Sequence, residues 1–443
     1  MQLREHLHQF DKQGDVEHIR HVVDADIALS SRAYQCLHTH AHKLKWFHHV
    51  DNSVCSVVAN MFATTARIEQ MLSLDGRALT QRLAVLPLHI QTWEDFCSYI
   101  QDDYAEVLSA PRDNLANYNV VKSLYELPQI RYWLGDSLPY FSLATLFSRA
   151  LSTTAINAGI YRLAVHGPRT LTVNWRPGSR AHATWQAYAT RAQRMPVTVA
   201  MGVDPALTFA SLFPLPAFGS ELSFWGFIRA QRQQVSSNRA DLPLPREAEI
   251  LLQGYIEPAQ FLHEGSYANH TGFYTRSILC PIIQIEQIHM RPNAIVPITV
   301  VGPPPTESAL LGVHVWKLLA VLLRRECPFI LELMCPLETS HLPVIIVQVT
   351  TPSTAQMWEC WRNSILNHPI LGRVHTLIMV DETTDSADFR QVYWHSMNQE
   401  LECYISPRSD LRVVDGVRWR FSGQKKVVLP FGALKPSFKD EIL

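Results

Sequence analysis

Net charge is nearly absent from this chain: its 443 residues carry 39 basic and 40 acidic side chains, a formal charge of −1. So even a balance offers no basic field to a polyanion and no pull toward an anionic membrane surface, so nucleic acid and membrane are not expected as partners. Long apolar runs are missing too. The longest, LLGVHVWKLLAVLL at 310–323, is shorter than the roughly 18 to 20 residues of a membrane span and is broken by His314 and Lys317. It reads as a buried helix. No CxxC pair occurs among the eight scattered cysteines, which excludes a zinc ribbon or a disulfide framework and fits a reducing compartment. The N-terminal MQLREHLHQFDKQG is charged and amphipathic and lacks the apolar centre of a secretion signal, so a cytoplasmic location is expected. Neither an internal repeat nor a low-complexity segment is present.

What is there is apolar enough for real cores: 47% of the residues are hydrophobic. The length suggests two or three domains. Residues 1 to about 120 read as mostly helical with some strand. From 120 to 300, strand-like runs dominate: LTVNW (171–175), VTVAMGV (197–203), AEILLQGYI (248–256), IIQIEQI (282–288) and AIVPITVVG (294–302). Gly/Pro turns separate them, which suggests a barrel or sandwich. Between 303 and 400 helices and strands alternate in a βαβ rhythm, the mark of a small α/β layer.

Few stretches carry chemistry. CLHTHAHKLKWFHH (36–49) holds five histidines, and H-x-H-x-H on a strand could bind a metal, but exposed surface histidines fit the lack of nearby acids better. INAGIYRLAV (156–165) sets Asn157 five residues before Arg162, with a Gly-containing turn expected between them. In FPLPAFGSELSFWGFIRA (213–230), Ser220 reads as a helix N-cap and Glu221 as a first-turn acid. EGSYANHTGFY (264–274) is a loop with no helix or strand period, where Glu264 either caps a turn or serves as a base held by an arginine. DETTDSAD (381–388) reads as a solvated βα loop with an N-cap rather than a metal cluster.

In this order these stretches resemble the UbiD family of prenylated-flavin-dependent decarboxylases. The resemblance runs through N-A-G-I-Y-R (157–162), F-P-L-P-x-x-G-S-E (213–221), A-E-I-L-L-Q-G-Y-I (248–256), E-G-S-Y-A-N-H-T-G-F-Y (264–274), V-V-G-P-P-P-T-E (300–307) and M-V-D-E-T-T-D (379–385). It implies a mixed α+β and α/β fold: an N-terminal α/β domain over 1–115, a split β-barrel binding the flavin over 116–303, and a C-terminal α/β domain with a tail over 304–443. It implies a lyase, a reversible non-oxidative decarboxylase of an aromatic or α,β-unsaturated carboxylic acid. Its cofactors would be prenylated FMN with Mn²⁺ and K⁺, the flavin acting as electron sink. A UbiX-like flavin prenyltransferase would supply that cofactor, and a homo-oligomer is expected.

The resemblance assigns roles residue by residue. Arg162 and Glu264 match the catalytic Arg–Glu pair. Asn157 and Glu221 match metal ligands. Ile160, Tyr161, Arg162, Ser211, Phe213 and Pro214 fall where the family lines its flavin, and Lys426 matches a phosphate-binding lysine. Departures cluster at the same places. Asn269 stands where the family has a second acid, and an amide is no general acid near neutral pH. His270, Tyr267 or water are then candidates for that proton. A ligating histidine falls near Ser179, with His182 three residues on as a substitute. Gln253, Pro303 and Ser236 replace a Glu, an Arg and a Lys. An impaired homologue acting as a binding or scaffold partner is the alternative reading.

Overall fold

The computed structural model describes residues 2–39, 42–109, 115–151, 153, 155–216, 218–337, 344–371, 374, 376–382, 384–398, 402–405 and 412–416. They fall into two compact units, 1–318 and 319–443. The architecture is mixed α+β, with several sheets and no closed barrel among the described residues.

In the first unit, a nine-stranded sheet carries the site. Its path runs Tyr140–Phe141, Arg162–Gly167, Thr170–Asn174, Leu279–Met290, Ile250–His263, Met195–Met201, Ala144–Arg149, Ile156–Ile160, with Asn119–Val121 added beside Leu279–Met290. Its pairings are antiparallel. The two ends of the path do not meet, so the sheet is open, as a split barrel must be. Period-2 patterning explains the burial of Ile283 and Ile285 between Gln284 and Glu286, and the register shift at Glu286 resets the phase so that Ile288 is buried. A register shift between Gln253 and Gly254 bends the longest pair. Gly254 is required there, because a Cβ would lie 2.0 Å from the Gln284 carbonyl oxygen.

A four-stranded sheet, in the order Val16–Val23, Leu44–Val50, Ser56–Ala59, Ile295–Ile298, joins the beginning of the chain to residues near 300. One apolar core serves both sheets, from Ile19 and Phe47 through Leu171 and Val199 to Ile298. A small sheet pairs Val107–Ser109, Gln234–Ser237 and Pro243–Leu244. The second unit is a five-stranded sheet ordered Ile330–Met334, Val344–Val349, Thr376–Asp381, Arg412–Gly416, Glu402–Ile405. Its middle pairings are parallel, as the βαβ rhythm requires. Helix Phe389–Asn398 follows the DETTDSAD loop, and Asp388 accepts from the backbone N–H of Arg390 and Gln391, the expected cap.

Two local readings change. Residues 156–160 are a strand rather than a turn, and the Tyr161 side chain folds back over Gly159, its hydroxyl 2.5 Å from where a Cβ would sit, so a larger residue there would displace that ring. The H-x-H-x-H run precedes the strand, which begins only at Leu44, and His40 lies outside the described residues. His48 Nε2 meets His18 Nδ1 at 2.8 Å beside Trp46, and the His38 ring packs on Tyr34.

Glu307 opens the helix Glu307–Glu326 fully buried, its carboxylate accepting from the Phe62 N–H at 2.8 Å. Burial raises its pKa to about 7, with the Phe62 hydrogen bond working against the rise. A raised carboxyl pKa costs the folded state nothing below the unfolded value near 4.5, and the cost grows as pH rises to 7. Glu307→Gln keeps the acceptor and loses the charge. Thermal unfolding of the variant is expected to gain on the order of 2 to 3 kcal/mol over wild type at pH 8 and little at pH 4.5.

Candidate functional site

Thr170–Asn174 and Arg162–Gly167 pair antiparallel, and Asn174 stands directly opposite Arg162. Opposed residues share a face, so both side chains project the same way. Glu264, at the end of the long strand Ile250–His263, meets them there. Arg162 Nε and Nη2 each donate to one carboxylate oxygen at 2.7 Å, a bidentate pair. Asn174 Nδ2 donates to Glu264 Oε2 at 2.7 Å, and the Cys280 thiol approaches the same oxygen at 3.7 Å. Glu264 is only 2% exposed. Burial, then the Glu264 charge, pushes the Cys280 thiol up to about 12, so it keeps its proton. The guanidinium lies over the ring of Tyr267 and within 5.9 Å of the Tyr140 ring centre. Burial raises the pKa of both phenols, so both stay protonated near neutral pH. His166, hydrogen-bonded to Thr172, has its pKa lowered by burial, with Glu264 pulling the other way.

The loop that presents Glu264 is fastened to residues 131–137. Asp136, 1% exposed, accepts from the N–H groups of Tyr132 (3.0 Å), Trp133 (2.9 Å) and Ala268 (2.8 Å). Burial raises its pKa against those three bonds and the Arg162 charge. Ser137 donates its N–H to the Ser266 carbonyl, Ser266 donates its N–H to Ser137 Oγ, and Gly135 donates to Tyr274 OH. Gly265 takes φ +85°, and a Cβ there would meet the Ser137 side chain at 2.4 Å. Asn269 turns inward on its own loop: its Oδ1 accepts from the Thr271 N–H at 2.8 Å and from the Thr271 hydroxyl at 2.5 Å. No bond joins it to Arg162 or Glu264. His270 is half-buried, and burial lowers its pKa.

A second cluster forms where strand Ile156–Ile160 meets two helix starts. Ser220 caps helix Glu221–Arg229, as expected, by accepting from Ser223 N–H at 3.2 Å. Glu221, 5% exposed, accepts from the Ala158 N–H at 3.2 Å and from Arg180 Nη2 at 2.6 Å. Burial raises its pKa and the Arg180 charge opposes the rise. Asn157 lies beside it on the strand, its amide 3.5 Å from the Tyr161 hydroxyl. His182 stands apart. Its Nδ1 accepts from the Gly178 N–H at 3.3 Å, and its ring packs on Trp185. The side chain that reaches Glu221 is Arg180. Among the described residues no group of three His, Cys, Asp or Glu is placed to hold a metal ion. The donors here, one amide and one carboxylate already bonded to a guanidinium, do not fit a divalent metal such as Mn²⁺.

Of the other expected cofactor residues, Ile160 is half-buried on the strand edge, and the Ser211 hydroxyl donates to the Leu207 carbonyl at 2.8 Å. Phe213 is 4% exposed, in an aromatic cluster with Trp93 and Phe224, so its ring is core. Pro214 is exposed beside it. Lys426 lies outside the described residues. Sequence reasoning passed over Asn174, Asp136, Cys280 and Arg180. Asn174 alone had a local signal, an amide at the end of an otherwise apolar strand.

Residues 109–304 match the UbiD-family description "3-octaprenyl-4-hydroxybenzoate carboxy-lyase Rift-related domain". An uncharacterized protein of Archaeoglobus fulgidus is 28% identical over 410 residues, covering 88% of this chain and 82% of the relative. The fold resembles the vanillic acid decarboxylase of Sedimentibacter hydroxybenzoicus in its closed form, with a TM-score of 0.81 at 17% identity over 98% of this chain and 96% of that one. It also resembles an evolved dimeric form of the UbiD-class enzyme HmfF from Pelotomaculum thermopropionicum in complex with prFMN, with a TM-score of 0.77 at 18% identity over 97% of each chain.

Proposed function

We propose that this chain, whose residues 109–304 match a UbiD-family domain, is a flavin-dependent carboxy-lyase acting on an aromatic or α,β-unsaturated carboxylic acid. The observation that carries the reading is the buried Arg162–Glu264 pair: an acid oriented by two parallel hydrogen bonds, a third from Asn174, and a protonated thiol alongside. So fixed a carboxyl group suits positioned proton transfer.

In this reading the cofactor is prenylated FMN, which supplies an electron sink when bound. Asn157, Ile160, Tyr161 and Arg180 are the residues that would hold it. Arg180 suits a phosphate: it has five N–H donors, and two are spent on Gly219 and Glu221. Arg162 orients Glu264 and offers positive charge to the substrate carboxylate before it leaves. Net decarboxylation breaks one C–C bond, releases CO₂ and makes one C–H bond from one proton. Glu264, a carboxylate in its pair with Arg162, would take that proton from a carrier and pass it to the substrate carbon. Asn269 cannot be that carrier, because it is an amide and its oxygen is held by Thr271. Tyr267 beside Arg162, His270 on the same loop, or water are the remaining carriers. The same reading includes a cytoplasmic homo-oligomer supplied by a UbiX-like flavin prenyltransferase. No described helix is long and apolar enough to cross a membrane.

The closed turn at Asn269 also favours a second reading, a slow or inactive flavin-binding homologue that works as a partner protein. Co-expression with a flavin prenyltransferase separates the two. We expect about one prenylated FMN per chain by absorbance and mass, and decarboxylation of at least one acid from an unsaturated and aromatic panel. Flavin bound without turnover supports the partner role. A folded protein that carries no flavin overturns both.

A further inference from the structure

Glu221 is a buried carboxylate at the junction of three elements. Ser179 caps the helix Arg180–Thr190 by accepting from the His182 N–H, which fixes Arg180 as the first helical residue. Arg180 then reaches across to the Gly219 carbonyl at 2.7 Å and to Glu221 Oε1 at 2.6 Å. The other Glu221 oxygen takes the Ala158 N–H of strand Ile156–Ile160. A carboxylate this buried needs a positive partner, and the guanidinium supplies it with good geometry.

A divalent ion on the same carboxylate would stand within a few ångströms of that guanidinium, in a region poor in screening water. It would find few ligands besides: Asn157 offers one neutral oxygen, Glu106 acts on Glu221 through its charge, and no group of three His, Cys, Asp or Glu is placed to hold a metal among the described residues. Arg180 itself is 23% exposed in its side chain and keeps three N–H donors beyond the two it has spent, five less two.

We propose that Arg180 takes the place of the divalent metal at Glu221, so that this chain binds the flavin phosphate through a guanidinium and without manganese. The inference rests on the flavin reading and goes beyond it in naming how the phosphate is held.

The test is calorimetric titration of FMN into the purified protein, once after exhaustive EDTA dialysis and once with excess MnCl₂, with the metal content of the purified protein measured alongside. We expect the same affinity within about twofold in both buffers and no stoichiometric manganese. Arg180→Met should weaken FMN binding in EDTA roughly ten- to a hundredfold, as expected for losing charge-assisted bonds to a phosphate. Arg180→Lys, which keeps the charge but not the fork, should fall between. FMN binding that appears only with Mn²⁺, or one manganese per chain on purification, overturns the inference and leaves the flavin reading standing. So does wild-type affinity in Arg180→Met. The wild-type comparison decides the matter even where the variant fails to fold. No FMN binding in either buffer sinks the flavin reading itself.

Discussion

Glu264→Gln is expected to lower turnover by roughly a hundred- to ten-thousandfold while FMN binding changes little. The glutamine is nearly the same shape. Its one carbonyl oxygen can still accept from Arg162, where the native carboxylate takes Arg162 at both oxygens and Asn174 at one. What it loses is the capacity to take up a proton and pass it on. It also leaves Arg162, whose side chain is 16% exposed, without its charge partner. That loss costs stability on the order of 1 to 3 kcal/mol. The ratio of kcat between wild type and variant, read beside an FMN titration of each, separates the chemistry from the binding. The Cys280 thiol provides an internal check. The Glu264 charge is one of the causes that raise its pKa, so thiol reactivity measured against pH should shift to lower pH in the variant. Unchanged turnover in Glu264→Gln would remove the carboxylate from the mechanism.

Asp204→Ala is expected to cost the most stability. Asp204 begins the helix Pro205–Ala210 and accepts from the Ala206 N–H at 2.9 Å. The same carboxylate accepts from Trp225 Nε1 at 2.7 Å and from Arg229 Nε at 2.8 Å, and Arg229 Nη2 also donates to it. Arg229 is 7% exposed, with one further bond to the Met71 carbonyl. Burial works to raise the Asp204 pKa, yet it lies below the usual carboxylate value because the Arg229 bonds and charge, together with the Trp225 and Ala206 bonds, outweigh that cost. Removing the acid strands a buried guanidinium, a loss of about 3 to 5 kcal/mol. Removing both partners with Asp204→Ala and Arg229→Met should restore part of it. Urea midpoints of the two variants at pH 7 make the comparison. A depressed carboxyl contributes stability above its unfolded pKa and loses it as pH falls toward its folded value. The single variant should therefore unfold with less dependence on acid than the wild type.

Elements were legible where period and punctuation agreed. The apolar runs at 248–256 and 282–288 marked the cores of strands Ile250–His263 and Leu279–Met290 without reaching their far ends, and Ser220 marked the start of helix Glu221–Arg229. The error at Ile156–Ile160 has a local cause: glycine beside asparagine ordinarily means a turn, and nothing in the sequence tells that Tyr161 will fold over Gly159. At the site, residue types were readable and contacts were not. Arg162 and Glu264 lie 102 positions apart, and only the family resemblance placed them together. Asn174 follows from strand register, Asp136 from a clamp between two loops, and Arg180 from the approach of two helix starts. These are properties of the folded chain. Phe213 packs on Phe224, and an aromatic beside a Pro-rich turn suits a cofactor wall and a core equally well.

The clamp around Glu264 has a kinetic consequence. Its parts come from residues 135–137, 162, 174, 264–268 and 280, so the acid is oriented only when strands remote in sequence have all paired. Contacts of such separation form late, because each must first overcome the entropy of closing a long loop. A refolding chain therefore passes through helical and hairpin states that possess Glu264 but no oriented carboxylate. Recovery of function after dilution from denaturant should trail the return of helical circular dichroism and coincide with completion of the nine-stranded sheet.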